Sequence, residues 1–304
     1  MSAPKIEDSV SPPTVLDFDP AATRRDLNRK GFKIGHRLVD DPLFSLPALI
    51  ELSRKLPVQD VEYNAGDLPV DMDPAATPKT GLTIEETIRR IEECGSWMVM
   101  KFVERVPEYR RALDRCLDEI EGAIAPAGLS TIRREAFIFI SSPRSVTPYH
   151  FDPEYNFLLQ IRGTKTVYLF PRSLLTEEEI EDRFTFRHRN LKFHQSYQSR
   201  AEAFVLSPGS GIHIPIAAPH WVKNGDGVSI SFSITFRTEE SEREAALYRF
   251  NSKLRARGLR PAPVHSSPVR DSLKLATYRG LRLALRPAKM LLARRNSGED
   301  GARR

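Results

Sequence analysis

Between residues 133 and 237 the chain breaks into short runs of apolar, aromatic and β-branched residues: EAFIFIS, TPYHF, YNFLLQI, TKTVYLF, AFVLS, IHIP, HWVKN and VSISFSITF. Glycine, proline and asparagine separate them. Many short strands with turn residues between them point to a closed barrel or a sandwich. The charged stretch 171–202, PRSLLTEEEIEDRFTFRHRNLKFHQSYQSRAE, interrupts the series. An insertion that long within a β-domain is commonly a functional loop or lid.

Helical patterning flanks this region. LFSLPALIELSRKL (43–56) reads as a short helix with Pro47 near its start. Thr83 and Glu86 have the spacing of a capping box, and Ile84, Ile88 and Ile91 form a stripe behind it. WMVMKFV (97–103) is a strand candidate. In 106–124, Tyr109, Leu113, Cys116, Leu117, Ile120 and Ile124 recur at helical spacing. The expected layout is a disordered N-terminus over 1–20, a mostly helical flank over 21–130, a β core over 131–240 and a basic helical tail over 241–304. The fold class is mainly β with helical flanks.

Charge is unevenly placed. The net charge is +6, yet residues 251–304 carry 14 Lys/Arg against three acids, so the remaining body is net acidic. The basic balance therefore belongs to a tail and does not mark a nucleic-acid-binding core. Cys94 and Cys116 offer neither a disulfide framework nor a zinc spacing, and both sit in helix-like sequence as expected buried thiols. This suits a reducing, cytoplasmic compartment. The first twenty residues have no basic start followed by an apolar stretch, so no signal peptide is expected. No apolar run is long enough to span a membrane.

The stretch TPYHFDPEYNFLLQIRGTK, Thr147 to Lys165, holds the chemistry. With Arg162-Gly163 as a two-residue hairpin turn, Gln160 faces Lys165, Leu158 faces Val167 and Asn156 faces Leu169. Alternation then puts Asn156, Leu158, Gln160, Lys165, Val167 and Leu169 on one face. Phe157, Leu159, Ile161, Tyr168 and Phe170 fall on the other, an apolar face expected to be buried. A lysine on a half-apolar face needs a partner, either solvent or an anionic ligand. Just upstream, His150 and Asp152 lie two apart on a strand and project to the same side, where they can share a metal ion. The best third ligand is His220, which opens HWVKN after Pro219. Two imidazoles and one carboxylate with open positions suit non-haem Fe(II); zinc also accepts such ligands, but the nearby lysine favours iron with an acidic co-substrate.

VTPYHFDPEYNFLLQIRGTKTVYLFP, taken with LSPGSGIHIPIAAPHWV, resembles the JmjC/cupin-like 2-oxoglutarate oxygenases, and in motif is most similar to the asparaginyl hydroxylase that modifies hypoxia-inducible factor. The resemblance covers roughly residues 134–237. It implies a double-stranded β-helix of the cupin or jelly-roll kind. It also implies Fe(II) held by His150, Asp152 and His220. Lys165 and Thr147 would bind the C5 carboxylate of 2-oxoglutarate, with Asn156 lining the pocket and Thr235 near a further polar position. The implied reaction consumes 2-oxoglutarate and O2, releases succinate and CO2, and begins with hydrogen abstraction from a prime substrate. The chain departs from the pattern at Ser210, where an aspartate is common, and at Phe137 and Phe139, where a tyrosine often touches the co-substrate.

Other residues read more plainly. His213 is expected as a core or pocket histidine, and His188 and His194 as solvated residues of the insertion. Trp97 and Trp221 read as core or pocket-rim aromatics. Gln160 could contact substrate or a neighbouring strand. In the tail, Leu273, Leu275, Tyr278, Leu281, Leu283 and Leu285 alternate with Lys and Arg. Packing on the domain or on a homodimer partner is favoured there over binding to nucleic acid or an acidic membrane surface. Three functions follow. The first is a 2-oxoglutarate-dependent hydroxylase acting on a protein side chain or a small molecule. The second is a non-catalytic cupin-like module using the basic tail. The third is a metal-dependent cupin enzyme that does not use 2-oxoglutarate.

Overall fold

A computed structural model describes residues 14–72, 76–185 and 191–282. Two antiparallel sheets face each other. The strands are β1 Leu16–Asp17, β2 Phe32–His36, β3 Val61–Ala65, β4 Ser96–Lys101, β5 Ile132–Ser141, β6 Val146–His150, β7 Tyr155–Arg162, β8 Lys165–Leu169, β9 Glu202–Leu206, β10 Ser210–Ile214, β11 His220–Asn224 and β12 Ser229–Arg237. The larger sheet runs β1-β2-β10-β7-β12-β5-β4-β3 and the smaller β6-β11-β8-β9. From β5 to β8, and again from β9 to β12, consecutive strands alternate between the sheets, which makes this part a double-stranded β-helix of the cupin kind.

The hairpin expected between residues 155 and 170 does not form. β7 pairs with β10 and β12, whereas β8 pairs with β11 and β9. The two strands are joined through Gly163, at φ +69°, and the chain crosses from one sheet to the other. The physical reason is that both strands carry an apolar interior face. Leu158 from β7 and Val167 and Leu169 from β8 meet across the interior with Leu206, Ile212, Ile214 and Val222. A flat hairpin would leave one of those faces uncovered. The expected grouping of residues by face survives, but as two facing walls rather than cross-strand neighbours.

The outer face of the larger sheet is covered by helices. These are α1 Pro20–Asp26, α2 Leu46–Lys55, α3 Ile84–Arg89 and α4 Pro107–Ile124. α4 buries Tyr109, Leu113, Cys116, Leu117, Ile120 and Ile124, as its spacing requires. They pack into one core with Ile138 and Ile140 of β5, Phe232 and Ile234 of β12, and Phe157, Leu159 and Ile161 of β7. The capping box of Thr83 and Glu86 opens α3 as its spacing requires. Cys116 is buried, while Cys94 is only half-buried.

The N-terminal region is not only helical: β1 to β4 extend both ends of the larger sheet. Of the segment expected to be disordered, residues 1–13 lie outside the described residues, while Val15 and Leu16 are held by the Glu119 carboxylate on α4, which accepts their backbone N–H groups. Between β8 and β9 lies α5, Glu177–Phe184, which packs on α6, Glu239–Arg255, through the stacked rings of Phe184 and Tyr248. A last helix, α7, spans 268–282. It docks by Leu275 and Tyr278 and leaves Leu273 and Leu281 exposed. Leu283, Leu285 and His188 lie outside the described residues. No helix among the described residues is long and apolar enough to cross a membrane.

Candidate metal centre and anion pocket

Alternation along each strand decides what lines the space between the sheets. From the smaller sheet, β11 presents His220, Val222 and Asn224. Its partners in register are His150 and Thr147 on β6, and Leu169, Val167 and Lys165 on β8. The interior wall of the smaller sheet therefore grades from histidines at one end, through valines, to Lys165 and Asn224 at the other. From the larger sheet, Ser229, Ser231, Ser233 and Thr235 of β12 face inward, while Ile230, Phe232, Ile234 and Phe236 pack outward in the helix-covered core.

His150, Asp152 and His220 come together at the histidine end. Their ligand atoms all lie within 4.8 Å of one another, and no other such group occurs among the described residues. Nε2 of His150 is 3.8 Å from Oδ1 of Asp152, and Nε2 of His220 is 3.8 Å from Oδ2. Each imidazole uses Nδ1 against a backbone carbonyl two residues upstream, His150 on Pro148 at 2.7 Å and His220 on Ala218 at 3.0 Å. Those bonds put the proton on Nδ1 and leave both Nε2 lone pairs aimed at the carboxylate, the tautomer that a metal ligand needs. Burial, together with the neighbouring His220, pushes His150 down to about 4, so its ring is neutral at physiological pH. Burial alone would raise Asp152, but His220 and His150 hold its carboxyl below its ordinary value. Asn156 donates to Asp152 Oδ2 at 2.9 Å and fixes the carboxylate's orientation. Two imidazoles and an ionised carboxylate, open on one side where His150 and Asp152 remain about a quarter exposed, fit one divalent ion.

The opposite end fits an anion. Lys165 is only 5% exposed and makes no hydrogen bond or ion pair among the described residues. Burial pushes its ammonium down to about 7. Thr147 Oγ1 accepts the indole N–H of Trp97 at 2.9 Å, across the gap between the sheets. An indole nitrogen only donates, so the threonine's own proton is free for an acceptor in the pocket. Asn156 is held from its other side by Ser233, whose hydroxyl donates to its Oδ1 at 2.8 Å. Gln160 is saturated by Ser231, Ser229 and the turn carbonyls of Arg162 and Gly163, so it is structural. Thr235 faces inward beside Asn156 in register, and its hydroxyl donates to the Glu135 carbonyl. Phe137 and Phe139 occupy the inward positions of β5.

Several pocket residues were not singled out from the sequence. On sequence Trp97 reads as a core or pocket-rim aromatic, with no sign of its bond to Thr147. The serines were legible as the alternation SISFSITF, which marks one polar and one apolar face. Asn224 had no sequence signal; its Oδ1 is buried without a partner beside Lys165. His213 is the core histidine expected, fully buried and pushed down to about 3 by desolvation. His194 is exposed. A cleft of about 570 Å³ between α6, α7 and the turn after α4 is lined by Glu239, Glu240, Arg243 and Asp271, and brings no metal-ligand set together.

Fold and site together define a cupin-type barrel with a two-histidine, one-carboxylate centre. Residues 100–242, slightly under half the chain, match the family model described as a cupin-like domain. No curated protein matches. Among solved structures, the chain is similar to the X-ray structure of Escherichia coli YcfD, with 17% identity and a TM-score of 0.49, over 90% of this chain and 69% of that one. The ribosomal oxygenase YcfD from Escherichia coli in complex with cobalt and 2-oxoglutarate gives 17% identity and a TM-score of 0.48, over 88% and 67%. Oxalate decarboxylase from Bacillus subtilis gives 16% identity and a TM-score of 0.24, over 34% and 21%.

Proposed function

We propose that the protein is an Fe(II)- and 2-oxoglutarate-dependent dioxygenase that hydroxylates a protein side chain or a small molecule. The observation that carries this reading is the pairing of two features in one interior: a three-ligand metal set at one end and an unpaired buried ammonium, Lys165, at the other. A buried cation without a partner is costly, and a dicarboxylate removes that cost while leaving its other end to the metal.

His150, Asp152 and His220 would hold the ion, which with 2-oxoglutarate and O2 supplies the oxidising power for C–H hydroxylation. The rest is done by this chain's own residues. Lys165 and the Thr147 hydroxyl grip the distal carboxylate. Val167 and Val222 flank the methylenes between the two ends. Asn156 keeps Asp152 turned toward the imidazoles. The prime substrate approaches from the side on which His150 and Asp152 are exposed. Atoms balance as 2-oxoglutarate, O2 and a C–H bond giving succinate, CO2 and a C–OH group.

A cupin enzyme working without 2-oxoglutarate has no evident use for the Lys165 ammonium. The test is succinate release. It should require Fe(II) and disappear in both Asp152→Ala and Lys165→Ala. Metal binding with no uptake of 2-oxoglutarate would favour the other enzyme instead.

A further inference from the structure

One of the contacts by which the N-terminal flank reaches the metal centre is made by Asn28. Asn28 follows the C-terminus of α1 in the left-handed region, at φ 58°, where asparagine is better tolerated than most residues. A helix-ending role accounts for its backbone but not for its contacts. Its backbone N–H donates to Nε2 of His213 at 3.1 Å. Its Oδ1 accepts the backbone N–H of Ile216 at 2.8 Å. These partners lie more than 180 residues away in sequence, on β10 and in the bend that follows it.

Both contacts lead to metal ligands. His213 uses Nδ1 against the carbonyl of Asn156 at 3.1 Å, and Asn156 holds the Asp152 carboxylate. An imidazole that accepts from Asn28 at Nε2 must donate from Nδ1, so the pair fixes both the tautomer and the direction of the chain of bonds. On the other branch, Ile216 belongs to the segment 215–219 that presents His220. Its neighbour Ala217 stands at φ 56°, a strained position for alanine, with its N–H on the backbone carbonyl of Asp152 at 3.0 Å. That bend is therefore held at Ile216 by Asn28, at Ala217 by Asp152, and at its ends by Pro215 and Pro219.

We infer that Asn28, with His213, is a positioning residue for the metal centre, setting the separation between the Asp152 and His220 ligand groups. The inference rests on reading His150, Asp152 and His220 as metal ligands. Groups bonded behind the ligands of a metal typically change affinity ten- to a hundredfold when removed, and this strut acts one bond further out. About a five- to tenfold loss is expected.

The test uses the full chain titrated with Mn(II) or Co(II), with no 2-oxoglutarate and no turnover. Asn28→Gly keeps the left-handed backbone and the N–H to His213 but deletes Oδ1. It should raise the Kd for Co(II) about five- to tenfold and alter the Co(II) d–d absorption bands, which report ligand geometry. Asn28→Asp restores an acceptor and should return the Kd to within about twofold of the parent. His213→Phe keeps an aromatic ring in the same packing and cuts the other branch, so it should also weaken Co(II) binding. It supplies the answer if Asn28→Gly does not fold. The inference is overturned if Asn28→Gly and His213→Phe bind Co(II) with the parent's affinity and spectrum, or if Asn28→Asp is as weak as Asn28→Gly. A parent protein that binds no divalent ion overturns instead the ligand reading itself.

Discussion

Lys165 shows how a single side chain ties function to stability. An ammonium pushed from its ordinary value of 10.5 to about 7 leaves the native state one proton short of the unfolded chain across that interval. Stability conferred on the empty protein should therefore rise with pH between about 7 and 10.5 and be lowest below 7, where the buried group is charged in both states. Lys165→Met removes this dependence. It should stabilise the ligand-free protein at pH 6 by several kcal/mol in order of magnitude, and much less at pH 10, as read by urea unfolding at the two pH values. The same substitution should raise the Kd for 2-oxoglutarate about 10- to 100-fold, since a hydrogen bond to a charged group contributes about 1.5–3 kcal/mol. Because the anion binds the protonated form, parent affinity should fall about tenfold per pH unit above 7. A flat affinity profile from pH 7 to 9 would contradict the assignment. Trp97→Phe deletes only the indole N–H. It should weaken 2-oxoglutarate by a few-fold in the parent and not at all in a Thr147→Val background, a comparison that calorimetry can make.

At the scale of elements, the crossing between β7 and β8 governs the pocket. It is built on Gly163, where an added Cβ would lie 2.3 Å from the Val228 carbonyl oxygen. Gly163→Ala combines that clash with a positive φ. It should lower the melting temperature by several degrees, corresponding to at least about 1–2 kcal/mol. An unchanged melting temperature would mean the turn is looser than described.

The same crossing marks where sequence reasoning stopped. The His150-x-Asp152 spacing, the later His220 and the inward set Asn156, Leu158, Gln160, Lys165, Val167 and Leu169 were all legible, because strand alternation is local. Whether the chain turned back on β7 or crossed to the facing sheet was not. A short glycine-containing link serves either, and the choice is made by β9 to β12, many residues away. β4 was legible in WMVMKFV, but β1 to β3 were hidden, since their residues are too few to show a clear period and are recruited by the edges of the larger sheet. Trp97 gave no sign of its role because a bond between sheets has no sequence spacing.

On the scale of the whole molecule, the metal-binding end draws on distant parts of one chain: α1 through Asn28, the larger sheet through Asn156 and the smaller through the histidines. None of the described tail residues, 241–282, lines that interior. Residues 283–304 hold six Lys/Arg and two acids. Their removal should leave the affinities for metal and 2-oxoglutarate within about twofold, whereas loss of residues 1–30 should abolish tight metal binding along with α1. Titration of the two truncated proteins with Mn(II) checks both statements, and a tail deletion that weakens the metal would refute the division.

The most direct measurement is calorimetric titration of 2-oxoglutarate into the full-length protein, with and without Mn(II) as a redox-inert substitute for Fe(II). The account requires one 2-oxoglutarate per chain, bound tightly only when the metal is present, with that metal-dependent tight binding lost in Asp152→Ala and the heat lost in Lys165→Met. Binding that ignores the metal, or a metal-loaded protein that takes up no 2-oxoglutarate, would contradict it.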